Sequence, residues 1–530
     1  QSKYMYILRR VDFPLTQLIF NYLGSSIKLA MRSTVTRSLS KATRARKGCI
    51  SLRRFSLTTG SHKLVETEKQ RDGEQNHTST NRESGDKSAI LHSRLDTKPP
   101  TIVSSNGNYL IAEGGQEILD ASGGAAVACI GHNNSRVNNA IMRQLQSFSY
   151  IYAPFFTSKA SEKLATLLSE STQNQLSKAF IVSSGTEAIE AALKMARQYF
   201  LELPTPEPSR TRFIARRQSY HGNTLGSLSL GGHVGRRAPY APILTTNVSH
   251  VSPCYSYRGK RAEESDEDYV ARLAQELEDE FQAVGPSNVC AFVAETVSGT
   301  TLGCVPPVPG YLQVMKEVCD RHGALFILDE VMSGMGRCGT LHAWEQESVV
   351  PDLQTIAKGL GGGYAPIGAL LVNKRVVQAL DKGTGAFVHS QTYQGHPVAC
   401  AAAYEVQKII KEENLLQNVR SLGDYLGNRL KEQLGDHKHV GDIRGRGFFW
   451  GIEFVKDKET KEPFLAEQKI APLIHKTGLS EYSISFIPGT GVADGKNGDI
   501  IQIAPPYNAT KADIDLIVER TALVVKRVLG

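Results

Sequence analysis

Two apolar runs, FILDEV and TIAKGLGGG, place Asp329 and Lys358 at their carboxyl ends, 29 residues apart in the chain. Strand ends of this polarity are where open α/β sheets bind ligands. A lysine held in a dry pocket there gives up its proton more readily than a surface lysine and becomes an amine nucleophile toward an aldehyde. Lys358 is therefore a candidate Schiff-base lysine, and Asp329 a carboxylate placed to hold charge on a nearby ring.

The segment VSSGTEAIEAALKMARQY sets Gly185 and Thr186 at the start of a helix whose apolar residues recur every three or four positions. Free amides at a helix N-terminus bind anions, and the Thr186 hydroxyl adds a donor. SGTE is also an ordinary capping arrangement, but its place upstream of the Asp329/Lys358 pair favours a phosphate. RQSYHGNTLG follows a strand and offers Tyr220 to stack on a ring, Gly222 to let backbone approach closely, and His221 to shape the pocket or hydrogen-bond locally. Val331, two residues past Asp329, can press on the ring. An amine, a carboxylate, phosphate donors and planar packing groups are together what pyridoxal 5'-phosphate asks of a protein.

These residues need a frame, and the alternation of elements supplies one. Short apolar strands (KAFIV, TRFIARR, VCAFVAE, GALFILDE, LQTIAK, GALLVN) alternate with helical stretches such as Glu187–Leu201 and Gly310–His322. That rhythm predicts an α/β fold with a large, mostly parallel or mixed sheet covered by helices on both faces. Residues 99–155 and 389–530 are expected to form a smaller α+β domain from both chain ends around the large domain, 156–388. Residues 61–98 are polar and poor in aromatics, the composition of a disordered linker.

Charge is divided unevenly along the 530 residues. The first sixty hold 12 of 61 Lys+Arg and one of 53 Asp+Glu, so a net charge of +8 becomes −3 once they are set aside. A nearly neutral body removes the electrostatic support for a nucleic-acid partner. The front end, rich in Arg, Ser and Thr over residues 31–60, has the composition of a mitochondrial import segment, with a cytoplasmic location expected otherwise. Eight cysteines show no CxxC spacing and read as reduced packing residues, with no metal site. No run is long and apolar enough to predict a transmembrane segment.

The motifs SSGTEA, YHGNTLG, ILDEVMSGMGRCG, DLQTIAKGLGGGYAPIGA and TYQGHPVACAAA, in this order, resemble the class III (ω-amino acid type) pyridoxal-phosphate-dependent aminotransferases over about residues 99–530. The resemblance implies a fold-type I homodimer with active sites shared between subunits. It further implies that Thr392 reaches the phosphate held by the neighbouring subunit and that Glu295 lies near the ring. Family members often have proline after that glutamate, where this chain has Thr296. Several relatives hold a substrate carboxylate with a C-terminal arginine, whereas FIPGTGVADGKNGDIIQIAPPY contains Pro488 and Gln502 and no arginine. Arg444 is an alternative charged group for the substrate pocket, though a turn and subunit packing around a glycine-rich strand entry explain it better, and Tyr150 is an aromatic that could line that pocket.

The activity these readings imply is transfer of an amino group from an amine or amino acid to a keto acid or other carbonyl acceptor, through a Lys358 Schiff base and pyridoxamine phosphate. Aminomutase, racemase or decarboxylase chemistry uses the same scaffold, and a non-catalytic dimeric scaffold is the distant alternative. A nucleotide-binding loop is disfavoured because in TIAKGLGGG the glycines follow the lysine.

Overall fold

The computed structural model describes residues 88–530. The basic segment 1–60, with its import reading, and linker residues 61–87 lie outside the described residues. Residues 88–98 carry no helix or strand and are mostly exposed.

The chain opens on a meander of three antiparallel strands, β1 (Ile102–Asn106), β2 (Tyr109–Ala112) and β3 (Glu117–Asp120). Seven further strands then form one sheet: β4 (Leu176–Val182), β5 (Arg212–Arg216), β6 (Val248–Val251), β7 (Val289–Glu295), β8 (Leu325–Asp329), β9 (Leu353–Ile356) and β10 (Gly368–Asn373). Their order is β4-β10-β9-β8-β7-β5-β6. Strand β10 runs antiparallel to both neighbours, and β9, β8, β7, β5 and β6 pair in parallel. The sheet is thus mixed but mostly parallel.

Every residue of β7 and β8 is buried. Phe292, Ala294, Phe326 and Leu328 pack with the helices Asp266–Val284 and Tyr311–Arg321. Their alternates Ala291, Val293, Leu325 and Ile327 pack on the other face with the helix Gly185–Glu202. A period of two with apolar residues on both faces is what makes these strands read as unbroken hydrophobic runs. Each such large side chain contributes about 1.5–3 kcal/mol on burial, which anchors the central strands whose ends carry Glu295 and Asp329.

After β10 the chain forms the helices Pro397–Glu412 and Leu415–Leu434. Strands β11 (Val440–Arg446), β12 (Phe449–Asp457), β13 (Glu462–Pro463), β14 (Ile484–Ser485), β15 (Ile487–Thr490) and β16 (Asp499–Ile503) follow, and then the helix Lys511–Leu529. Strands β11-β12-β16-β15 make an antiparallel sheet, while β14 pairs in parallel with β3, setting Ile484 opposite Leu119. Leu119, Ile130 and Val137 share one apolar cluster with Val406, Leu426, Ile452 and Ile517. Segments from before and after the central sheet therefore pack on each other.

All seven cysteines among the described residues are buried and unpaired. Among those residues no helix is long and apolar enough to cross a membrane.

Candidate active site

The carboxyl ends of β4, β7, β8 and β9 surround a cavity of about 460 Å³ lined by Gly185, Thr186, Tyr220, His221, Gly222, Glu295, Asp329, Val331 and Lys358. Nine residues singled out from scattered motifs are thus brought to one place by the sheet.

Asp329 ends β8 and is almost wholly buried. One carboxylate oxygen accepts from the Val331 backbone N–H at 3.0 Å and the Thr355 hydroxyl at 3.3 Å, and the other meets His221 Nδ1 at 2.8 Å. The carboxylate is therefore fixed in rotation while facing the cavity. His221 Nε2 is buried without a hydrogen-bond partner.

Lys358 follows β9 by two residues, with φ at +43°, the left-handed region that costs a non-glycine residue about 1–3 kcal/mol. It is half-buried, and its amine makes no hydrogen bond or ion pair with another described residue. Burial pushes the amine below the ordinary lysine range, while the charges of Asp329 and Glu295 pull the other way. Glu295, at the end of β7, accepts from the Ser298 hydroxyl at 3.1 Å and sits 3.5 Å from Arg216. Burial raises its carboxyl above the usual range, with Asp329 adding to the rise and His221 and Arg216 opposing it.

At the opposite wall Ser184 caps the helix Gly185–Glu202 by accepting from the Glu187 N–H. The capping reading of SSGTE falls to Ser184. The Thr186 hydroxyl meets Thr224 at 3.0 Å and Ser227 at 2.7 Å. Both nearby glycines are required. A Cβ on Gly185 would lie 2.8 Å from Val331, and Gly222 has φ at +121° with a Cβ position 2.4 Å from the Thr186 hydroxyl.

The donor set fits pyridoxal phosphate: a primary amine free of protein partners, a pinned buried carboxylate, a helix N-terminus with hydroxyls and an aromatic ring share one cavity. Sequence reasoning missed Ser183, Ser184, Asn223, Val297, Met332 and Ile367 in its lining. Most flank the motifs already chosen, so the signal was position beside SGTE, YHG and DEV rather than residue type.

Three residues stand elsewhere. Arg444 does not open into the cavity. Its guanidinium is buried and meets Glu453 at 2.7 Å, Asp442 at 2.9 Å and the carbonyl oxygens of Leu302 and Gly303. Its donors are thus used inside the protein, as the turn-and-packing reading of DIRGRGFFWG expects. Tyr150 is likewise not in the lining. It is exposed, and its hydroxyl donates to the Thr392 carbonyl at 2.9 Å. Thr392 is exposed as well and outside this chain's cavity.

Comparison with known proteins gives a consistent result. The family described as aminotransferase class-III matches residues 93–525. An aminotransferase of Gibberella zeae is 52% identical over 448 residues, covering 84% of this chain and 88% of its own. An uncharacterized aminotransferase of Schizosaccharomyces pombe is 47% identical, over 83% of this chain and 96% of its own. Among solved structures, a pyridoxal-phosphate-bound amine transaminase from an uncultivated Pseudomonas species superposes with a TM-score of 0.77 at 31% identity, over 83% of this chain and 97% of that one.

Proposed function

Because this chain belongs to the class-III aminotransferase family and is a pyridoxal-phosphate-dependent transaminase of fold type I, we propose that Lys358 is the amine that carries its cofactor and moves its protons. The observation that carries this reading is the sharing of one cavity by an unpaired, depressed lysine amine and a pinned aspartate. The bound cofactor supplies an electron sink for the pair left on the donor carbon when its proton departs. Lys358 Nζ, whose burial favours the uncharged amine, would hold the cofactor through its aldehyde and, when released from it, would carry a proton between the donor carbon and the cofactor. Asp329 holds the ring nitrogen protonated, and His221 fixes the angle of its carboxylate. Tyr220 and Val331 set the tilt of the ring, and the first-turn amides of Gly185 and Thr186 hold the phosphate. Glu295 organises the polar contacts on the substrate side.

The working unit in this reading is a homodimer in which Thr392 of one subunit reaches the phosphate held by the other. In its favour, Thr392 lies outside its own chain's cavity, and Tyr150, Tyr152, Phe155, Phe156 and Tyr393 leave an exposed aromatic surface of the kind that marks interfaces. Light scattering giving twice the chain mass is the expected result. Residues 31–60 act as a mitochondrial address in the same reading, and fusion of residues 1–60 to a fluorescent reporter tests that. The split into 99–155 plus 389–530 around 156–388 also belongs to this reading.

Donor alone should shift the cofactor absorbance to the pyridoxamine form, and a carbonyl acceptor should restore it. Release of carbon dioxide, or migration of the amino group without an acceptor, would overturn the assignment. Lys358→Ala should abolish both phases.

A further inference from the structure

The helix Pro397–Glu412 turns Ala399, Ala402, Ala403, Val406 and Ile410 into the core, and with them one polar residue, Gln407, which is 3% exposed. A leucine there would bury with no polar group to satisfy. The Gln407 Oε1 atom is instead buried without a hydrogen-bond partner, which is costly for a carbonyl group out of water. The compensating gain lies at the other end of the amide.

Gln407 Nε2 donates to two successive backbone carbonyls, those of Gly359 and Leu360, each at 2.9 Å. Both partners are acceptors, so the amide meets them with its nitrogen and spends both of its hydrogens there. Cys129 Sγ adds a weaker contact to the Gly359 carbonyl at 3.4 Å. The carbonyl of Lys358 itself accepts from the N–H groups of Gly361 and Gly362, at 3.1 and 2.9 Å. Three consecutive carbonyls of the turn that begins at Lys358 are thereby tied down, the last two by side chains.

That turn needs holding. Lys358 has φ at +43°, a conformation that a non-glycine residue keeps only where its surroundings over-determine it. Its side chain lines the reaction cavity, and its amine has no protein partner among the described residues, so the backbone sets its aim. Relaxation of the turn toward ordinary φ values would re-aim the amine.

We propose that Gln407 is a positioning residue for the reaction: by clamping the turn Lys358–Leu360 it aims the Lys358 amine into the cavity. The inference rests on the reading of Lys358 as the amine that carries the cofactor. Misplacing a reacting group by about 1 Å can cost about 100-fold in rate. A loosened lysine also meets more water and loses part of what holds it below the ordinary lysine range, while Asp329 and Glu295, the charges that face it, are unchanged.

The test compares the full chain with Q407L and Q407M, which fill the space without donors, and with I410A, which cuts the same buried face and removes no bond to the turn. In the cofactor-free proteins, acetylation of Lys358 by trace acetic anhydride is followed against pH by peptide mass spectrometry. Its midpoint should rise toward the ordinary lysine value in Q407L and Q407M and stay at the wild-type value in I410A. Capture of added pyridoxal phosphate, followed by absorbance, should slow about 10- to 100-fold in both Gln407 variants. The proposal is overturned if the midpoint stays put in both of them, if I410A moves it as far, or if a wild type that captures the cofactor is matched in rate by Q407L and Q407M. A midpoint that rises in both while the wild type captures no pyridoxal phosphate supports the clamp and sinks instead the reading of Lys358 as the cofactor's amine.

Discussion

Around Asp329 and around Glu453 the chain buries carboxylates among cations, and the two places finish the task differently. At Glu453 the charges are paired with one another. Arg444 lies 2.7 Å away and Arg258 2.6 Å, the Tyr255 hydroxyl donates to the carboxylate, and Arg444 spends its other donors on Asp442 and two backbone carbonyls. At Asp329 the carboxylate is pinned, but the lysine beside it has no partner and His221 Nε2 is buried and unpaired. Satisfied charge locks β11 and β12 to the segments around Tyr255 and Gly303. Unsatisfied charge next to rigid strand ends is what a reaction needs, because the missing contacts are completed by cofactor and substrate.

The sharpest way to break this contrast is to exchange roles by mutation. Lys358→Met should cut the rate of the donor half-reaction by more than about 10⁴-fold, since nucleophile and proton carrier leave together. It should also raise the stability of the cofactor-free protein at neutral pH. The folded lysine binds its proton less tightly than the unfolded one, so its cost is present below the folded pKa and fades as the pH climbs to the ordinary lysine range. A Lys358→Met protein less stable than wild type at pH 7 by chemical denaturation would mean the site is not strained by its own lysine.

Glu453→Gln is the converse. Removing the carboxylate between Arg258 and Arg444 leaves Arg258 without its carboxylate partner and Arg444 with Asp442 alone, a loss of about 3–5 kcal/mol in unfolding free energy. Turnover per folded molecule should change little, because the cluster contributes nothing to the lining of the reaction cavity. A large fall in kcat with unchanged stability would erase the distinction between the two regions.

What could be read from the chain follows the same line. Strands such as Leu325–Asp329 are legible because burial on both faces writes itself as a run of apolar residues, and Asp329 and Lys358 are legible because they end such runs. The half-buried edge strand Val248–Val251 carries no such run and went unread. Arg444 was illegible for a deeper reason. Its partners come from residues 302, 303, 442 and 453, and nothing in DIRGRGFFWG distinguishes an arginine answered from afar from one aimed at a ligand. Tyr150 shows the same limit, since its aromatic neighbours look like lining until the fold leaves them outside.

His221→Phe sharpens the comparison at the site itself. The ring volume stays while the 2.8 Å contact to Asp329 is lost, freeing one carboxylate oxygen to turn. The half-reaction should slow about 10- to 100-fold, with the absorbance of the bound cofactor shifted because the pyridine proton is held less firmly. An unchanged spectrum alongside an unchanged rate would reduce His221 to packing.

The smallest effect lies at the boundary between the two regimes, where Asp329 faces the cavity and its neighbour Glu330 faces inward. Glu330 is fully buried and accepts from the Thr296 hydroxyl at 2.7 Å, the backbone N–H groups of Ala343 and Trp344, and Gln354. Burial nevertheless pushes its carboxyl from 4.5 up to about 7, these donors only moderating the rise. A carboxyl whose pKa is higher folded than unfolded contributes stability that is complete below about 4.5 and lost as the pH rises through about 7. Thr296→Val removes one donor to the ionised form and raises the folded pKa further. A proline at this position would remove the hydroxyl too, along with the backbone N–H that reaches the Asp329 carbonyl at 3.3 Å. The variant should therefore be less stable than wild type by about 1 kcal/mol more at pH 8 than at pH 5, as read by denaturant unfolding at the two values. An equal deficit at both would mean that Thr296 supports Glu330 by packing alone, and that the inward carboxylate is as indifferent to its donors as a surface group.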